Sequence, residues 1–210
     1  MQHIVEALRA YTHEFTNKLH VILGLLQLGE NRQAEEYVLR LTKTRAHSIS
    51  YISERIQEPS VAALLIGKSY RAAELGIRFV LDPASELRGD GQYLPTSSLI
   101  TILGNLTENA FDALRSAPEN AQKEVTVSIR EGEHGMLLSV DDSGAGMAAP
   151  QLDRIFERGF STKGEGRGTG LSLVKETVDA FGGTIRVESE PGIGSSFIIT
   201  LSDAESRAQT

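Results

Sequence analysis

Over the first 56 residues apolar side chains return every three or four positions: Ile4, Leu8, Tyr11, Phe15, Leu19, Ile22 and Leu26, then, past Gly29-Glu30-Asn31, Ala34, Val38, Leu41, Ile49, Ile52 and Ile56. That period gathers each set on one helix face, so the sequence predicts a helix over about residues 4–28, a turn, and a second helix stopped by Glu58-Pro59. Two helices laid side by side still leave half of each stripe in water. Such a hairpin needs another apolar surface. A second copy, completing a dimeric four-helix bundle, supplies it, and so would packing onto the rest of the chain.

Beyond Pro59 the pattern becomes mixed. Helices are expected over 61–75, 95–115 and 169–181, and strands over 77–81, 125–130, 136–141, 184–189 and 195–201. The fold class is thus α+β: an N-terminal helical hairpin over 1–58, then an α/β sandwich over 59–210. Between Ser143 and Gly170 seven glycines and little periodicity mark a ligand-binding loop. A length of 210 residues accommodates both units, and 40% apolar with 23% charged residues is ordinary for a folded chain.

Composition also removes several functions. A net charge of −7 with scattered Lys and Arg argues against nucleic acid. The absence of cysteine excludes disulfides and thiolate metal sites and suits a reducing compartment. The longest apolar run, Val21-Ile22-Leu23-Gly24-Leu25-Leu26, is far short of the roughly 20 residues a membrane span needs. Because the chain opens almost directly into an amphipathic helix, it is expected to be a fragment whose sensing part lies upstream of Met1.

Three constellations carry chemistry. Asp142-Ser143-Gly144-Ala145-Gly146 follows an apolar strand. Its carboxylate can accept from a purine amine while Gly144 and Gly146 let the backbone turn under a flat ligand, although strand-Asp-Gly is also a common turn. Gly166-Arg167-Gly168-Thr169-Gly170-Leu171 opens a helix, where unobstructed backbone N–H groups favour phosphate; the plain alternative is a linker. Asn105 and Asn109, one turn apart on the long helix, face one side and suit a magnesium–phosphate group, where an isolated pair would usually be a solvated face.

The order of these elements, from Asn105 to Leu173, strongly resembles the ATP-binding fold shared by histidine kinases, DNA gyrase, mismatch-repair ATPases and certain heat-shock chaperones. The resemblance implies that Asn105 and Asn109 face magnesium-ATP, with Asn109 on the metal, that Asp142 reads adenine, and that Gly166 to Gly170 border the phosphates. Phe156-Glu157-Arg158-Gly159-Phe160-Ser161-Thr162-Lys163 looks like the phenylalanine box and the start of the ATP lid, which favours the kinase branch. Many histidine kinases carry a lysine three residues after the second asparagine, where this chain has Asp112. Lys163 and Arg167 are the candidates for the missing cation.

On the first helix, His13-Glu14-Phe15-Thr16-Asn17-Lys18-Leu19-His20 resembles the phosphoacceptor helix of citrate- and dicarboxylate-sensing histidine kinases. His13 and Asn17 share a face roughly opposite Phe15, so the imidazole is left accessible. The resemblance implies that His13 takes a phosphoryl group from ATP with Glu14 beside it. The group then passes to an aspartate of a response-regulator receiver domain, and Asn17 supports dephosphorylation of that regulator. A non-kinase ATPase or clamp and a phosphotransfer scaffold are the rivals. His3, His20, His47 and His134 show no metal-ligand spacing.

Overall fold

The computed structural model describes residues 16, 18–42, 47–89, 93–115, 117, 122–160 and 168–202. Two compact units divide the chain, Met1–Ala46 and His47–Thr210.

In the first unit, residues 18–27 form α1 and Asn31–Thr42 form α2. Gly29, at φ +77°, ends α1 in the left-handed conformation that glycine adopts most cheaply. The N–H of Glu30 reaches back to Leu25 O (2.9 Å) and that of Gly29 to Leu26 O (3.1 Å), satisfying the last carbonyls of the helix.

The second unit opens with α3 (His47–Arg55), so the second helix expected from the sequence corresponds to α2 and α3, with residues 43–46 outside the described set. α3 belongs to the larger unit because Ile52 and Ile56 lie in its core. Just past the helix, the N–H of Leu87 donates to Arg55 O (3.0 Å) and that of Gln57 to Leu87 O (2.8 Å). The compact units therefore divide ahead of the 58/59 position chosen from the sequence.

α4 (Pro59–Glu74) starts where the Glu58 carboxylate accepts from Val61 N at 2.7 Å and Pro59 presets the first turn. Then follow β1 (Arg78–Leu81), α5 (Thr96–Arg115), β2 (Glu124–Glu131), β3 (Gly135–Asp142), the single turn α6 (Ala149–Leu152), α7 (Gly170–Ala180), β4 (Thr184–Glu190) and β5 (Gly194–Ser202). The five strands make one sheet in the order β1-β2-β3-β5-β4; β1 and β2 are parallel and the other pairs antiparallel.

Strand alternation sorts the sheet into two faces. Register aligns Leu81, Val127, Val140, Phe197 and Val187 in one row, and Ile129, Leu138, Ile199 and Ile185 in the next. α5 covers this face, burying Leu99, Ile102, Leu103, Leu106, Ala110, Phe111 and Leu114, and is flanked by α4 and α7. The opposite face is mostly polar, with Thr126, Arg130, Ser139, Asp141, Ser196, Thr200, Arg186 and Glu188. Burying one face and wetting the other makes the expected α/β sandwich. Among the described residues no helix is long and apolar enough to cross a membrane.

Candidate functional site

Register places Asp142 on the core-facing side of β3, opposite Val125 and Ser195 and one row beyond Val140. The apolar face thus ends in a polar row, Asp142, Ser195 and Ser189. Asp142 Oδ1 accepts the N–H of Gly144 at 2.8 Å, which turns the chain directly off the strand. Gly144 packs against α5: a Cβ there would stand 2.9 Å from the Cβ of Ala113 and 2.7 Å from Asp142 Oδ1.

Gly146 sits at φ +64°, and a side chain on it would collide with the carbonyl of Glu190. The same segment is clamped to the β4–β5 turn. Gly192 N donates to Ala145 O (2.7 Å), Met147 N donates to Ser189 Oγ (2.8 Å), and that hydroxyl donates to Gly194 O (2.9 Å).

Asn105, Asn109 and Ala113 follow at intervals of four and line one row of α5. Asn105 Nδ2 donates to Thr101 O at 2.7 Å, one turn back, which fixes the amide. Its Oδ1 then faces the start of α7, where a Cβ on Gly170 would stand 2.8 Å away. Asn109 therefore lies between two glycine contacts, Gly170 against Asn105 and Gly144 against Ala113. Its amide nitrogen is shut off from solvent and has no hydrogen-bond partner. A buried amide left unsatisfied inside a stable unit is a cost that a bound ligand would remove.

At the other border, α7 begins at Gly170 after Thr169, whose side chain makes no capping bond. The uncapped first turn suits an anion. Gly168, at φ +111°, rests on the 159–160 backbone and accepts Gly159 N–H at 3.0 Å, so the two ends of the stretch between Phe160 and Gly168 are pinned together. Leu171 packs on the core from the same turn. Phe156 and Phe160 also lean on the core, and the Arg154 guanidinium lies 4.6 Å over the Phe160 ring.

Charge around the row is arranged in pairs. Glu108, one residue before Asn109, meets Lys68 of α4 at 2.6 Å, and Asp112 meets Arg115 at 3.1 Å. Of the residues expected from the sequence, Asn105, Asn109, Asp142, Gly144, Gly146, Gly168, Thr169, Gly170 and Leu171 are described. The contacts of Asn105 with Gly170 and of Gly144 with Ala113 tie the asparagine helix to both glycine loops. His13, Glu14, Asn17, Lys163, Gly166 and Arg167 lie outside the described residues. Sequence reasoning missed Ala113, which continues the four-residue spacing from Asn109, and Ser189, whose role depends on strand pairing alone.

A five-stranded mixed sheet with a polar row ending its helix-covered face, an asparagine row between two glycine turns, and an uncapped helix start together define a nucleotide-type ATPase unit. The chain belongs to the histidine kinase-, DNA gyrase B- and HSP90-like ATPase family, whose model matches residues 96–205. Residues 1–54 match the alpha-helical domain of SpoOB-type sensor kinases. These matches bear out the resemblance read from the sequence.

The chain is 44% identical over 197 residues to the sensor histidine kinase DcuS of Escherichia coli K12, covering 93% of this chain and 36% of that protein. It is 40% identical over 209 residues to the sensor protein CitS of Halalkalibacterium halodurans, covering 99% and 38%. The chain thus spans little more than a third of the length of these curated relatives. Among solved structures, the catalytic domain of histidine kinase ThkA superposes with a TM-score of 0.55 at 22% identity, over 69% of this chain and 90% of that one. Full-length ShkA in complex with AMPPNP gives 0.54 at 26% identity, over 95% and 46%.

Proposed function

We propose that this chain is the cytoplasmic kinase core of a two-component sensor, taking a phosphoryl group from Mg-ATP onto His13 and passing it to an aspartate of a response-regulator receiver domain. The observation that carries this is the pairing, in one chain, of an unsatisfied Asn109 amide between two glycine turns with a SpoOB-type sensor-kinase helical segment that contains His13. The residues fit a nucleotide. The Asp142 carboxylate ends the core face where a purine amine would meet it, the asparagine row accommodates magnesium and phosphate oxygens, and the α7 start with Gly166 to Gly170 borders the phosphates. Lys163 and Arg167 would add positive charge. Magnesium, with Asn109 Oδ1 as a ligand, would neutralise the phosphate oxygens, and the unsatisfied Nδ2 would donate to one of them.

In the transfer, an imidazole nitrogen of His13 bonds to the γ-phosphorus as the bond to the ADP oxygen breaks. Glu14 holds the other ring N–H, which fixes the tautomer and balances the positive charge that forms on the ring. Asn17, one turn beyond His13, would orient a water for attack on the regulator's acyl phosphate.

Dimerisation through the helical segment is part of the same proposal. Leu19 and Leu26, on the expected inner stripe of α1, are 48% and 50% exposed in the single chain, with Leu23 at 52%. A neighbouring apolar stripe of this size calls for a partner surface. The test of the whole assignment is incubation of the 210-residue protein with labelled ATP. Wild type should acquire acid-labile, alkali-stable phosphate and His13→Gln none at unchanged ATP affinity; label persisting on the variant would overturn His13.

A further inference from the structure

Asn105, Glu108, Asn109 and Asp112 stand at i, i+3, i+4 and i+7 and form one stripe of α5. Two of the four are carboxylates, so the strip that would face a triphosphate carries the wrong charge. Arg115 of the same helix meets Asp112, and at Glu108 positive charge comes from a different element. The Lys68 ammonium, on α4, comes within 2.6 Å of Glu108 Oε1.

The two partners are unequally placed. The Lys68 side chain is only 14% exposed, whereas that of Glu108 is 51% exposed. A lysine covered to that degree has its stem packed and its reach fixed by its surroundings, while a half-exposed carboxylate turns away at little cost. An ion pair kept for stability alone contributes little when one partner is this open to water. A compact ammonium with three donors, held at the edge of the stripe that carries Asn105 and Asn109, is instead the group that a β- or γ-phosphate would recruit.

Resting on the nucleotide assignment above, we propose that Lys68, delivered by α4, is a phosphate-facing cation of this site, and that Glu108 holds it in place until nucleotide arrives. When phosphate binds, the ammonium exchanges or shares its carboxylate partner for a phosphate oxygen; no covalent bond changes. Phosphate discrimination in this chain is then set partly by a helix that carries none of the asparagine or glycine motifs.

The test uses calorimetry on the 210-residue chain with Mg-ATP, Mg-ADP and AMP, alongside thermal unfolding without nucleotide. Lys68→Met, which keeps the aliphatic stem, should weaken Mg-ATP binding by roughly 10- to 100-fold, the value of one charge-assisted bond. AMP affinity should stay within about twofold, and Lys68→Arg should recover part of the loss. Glu108→Gln, which removes the resting partner and a negative charge, should bind Mg-ATP as tightly as wild type or more so. The proposal is overturned if the ATP to AMP affinity ratio is unchanged in Lys68→Met, or if Glu108→Gln loses ATP affinity as Lys68→Met does. Wild type failing to bind Mg-ATP would sink the nucleotide assignment and this proposal together; wild-type binding with an unmoved ratio sinks this one alone.

Discussion

Replacing Asn109 by alanine should push stability and binding in opposite directions. In the structure the Asn109 amide nitrogen is buried and makes no hydrogen bond, a state that costs about 1–3 kcal/mol of desolvation. Alanine removes that group and is the better helix former by up to about 0.7 kcal/mol. Against these stands the lost packing of a small, half-buried side chain in α5. The expected net is a nucleotide-free ATPase unit more stable by about 1 kcal/mol, which for a protein of this size raises the unfolding midpoint by about 2–4 °C. Binding should move the other way: losing one metal or phosphate ligand weakens Mg-ATP at least about tenfold, or about 1.4 kcal/mol. Scanning calorimetry without nucleotide and titration calorimetry with Mg-ATP read the two effects separately. A midpoint several degrees lower, or an unaltered Mg-ATP affinity, would refute the claim that this amide is held unsatisfied for a ligand.

Three further substitutions test other parts of the proposal. Gly170→Ala places a methyl 2.8 Å from Asn105 Oδ1 at a helical position that favours alanine, so Mg-ATP affinity should fall several-fold while the unfolding midpoint barely moves. Gly146→Ala must adopt φ +64° and strike Glu190 O; the conformation alone costs about 1–2 kcal/mol, and both the midpoint and ATP affinity should drop. Asn17→Ala should leave autophosphorylation and transfer intact but slow decay of the phosphorylated regulator, followed by loss of label; equal decay with wild type would remove Asn17 from that reaction.

Apart from the single turn α6, which falls in the stretch read as a loop, the helices and strands of the second unit were legible because their apolar residues keep a single period. Thr96–Arg115 and Gly170–Ala180 lie within a residue or two of their expected limits. The asparagine and glycine elements were legible as well, since a four-residue spacing and a glycine-rich helix start are local. Strand order was not, because β5 inserts between β3 and β4 through register, which has no local signature. For the same reason the inward direction of Asp142 emerges only from its alignment with Val125 and Ser195. Lys68 was passed over because α4 and α5 are 40 positions apart at the Lys68 to Glu108 contact and meet only in the folded unit. The join of α3 to the larger unit depends on the pairing of Ile56 with Leu87, which a helical stripe running from Ala34 to Ile56 conceals.

Asp141 and Asp142 are chemically identical neighbours, yet the pleat turns one outward, where it accepts the Ser139 hydroxyl at 3.1 Å, and the other toward the helices. A slip of one residue in β3 would exchange them without altering composition, charge or the strand itself. What holds the alignment is in part Gly194, at φ +144°, whose missing side chain lets the chain close onto the Asp142 carbonyl. In the proposed reading, where Asp142 meets the purine, ligand choice is encoded partly in the β4–β5 hairpin that holds this alignment. In a drifting or engineered sequence, the turn at 191–193 is under tighter constraint than its exposed position suggests, because it delivers Gly194 to the point where the chain closes onto the Asp142 carbonyl.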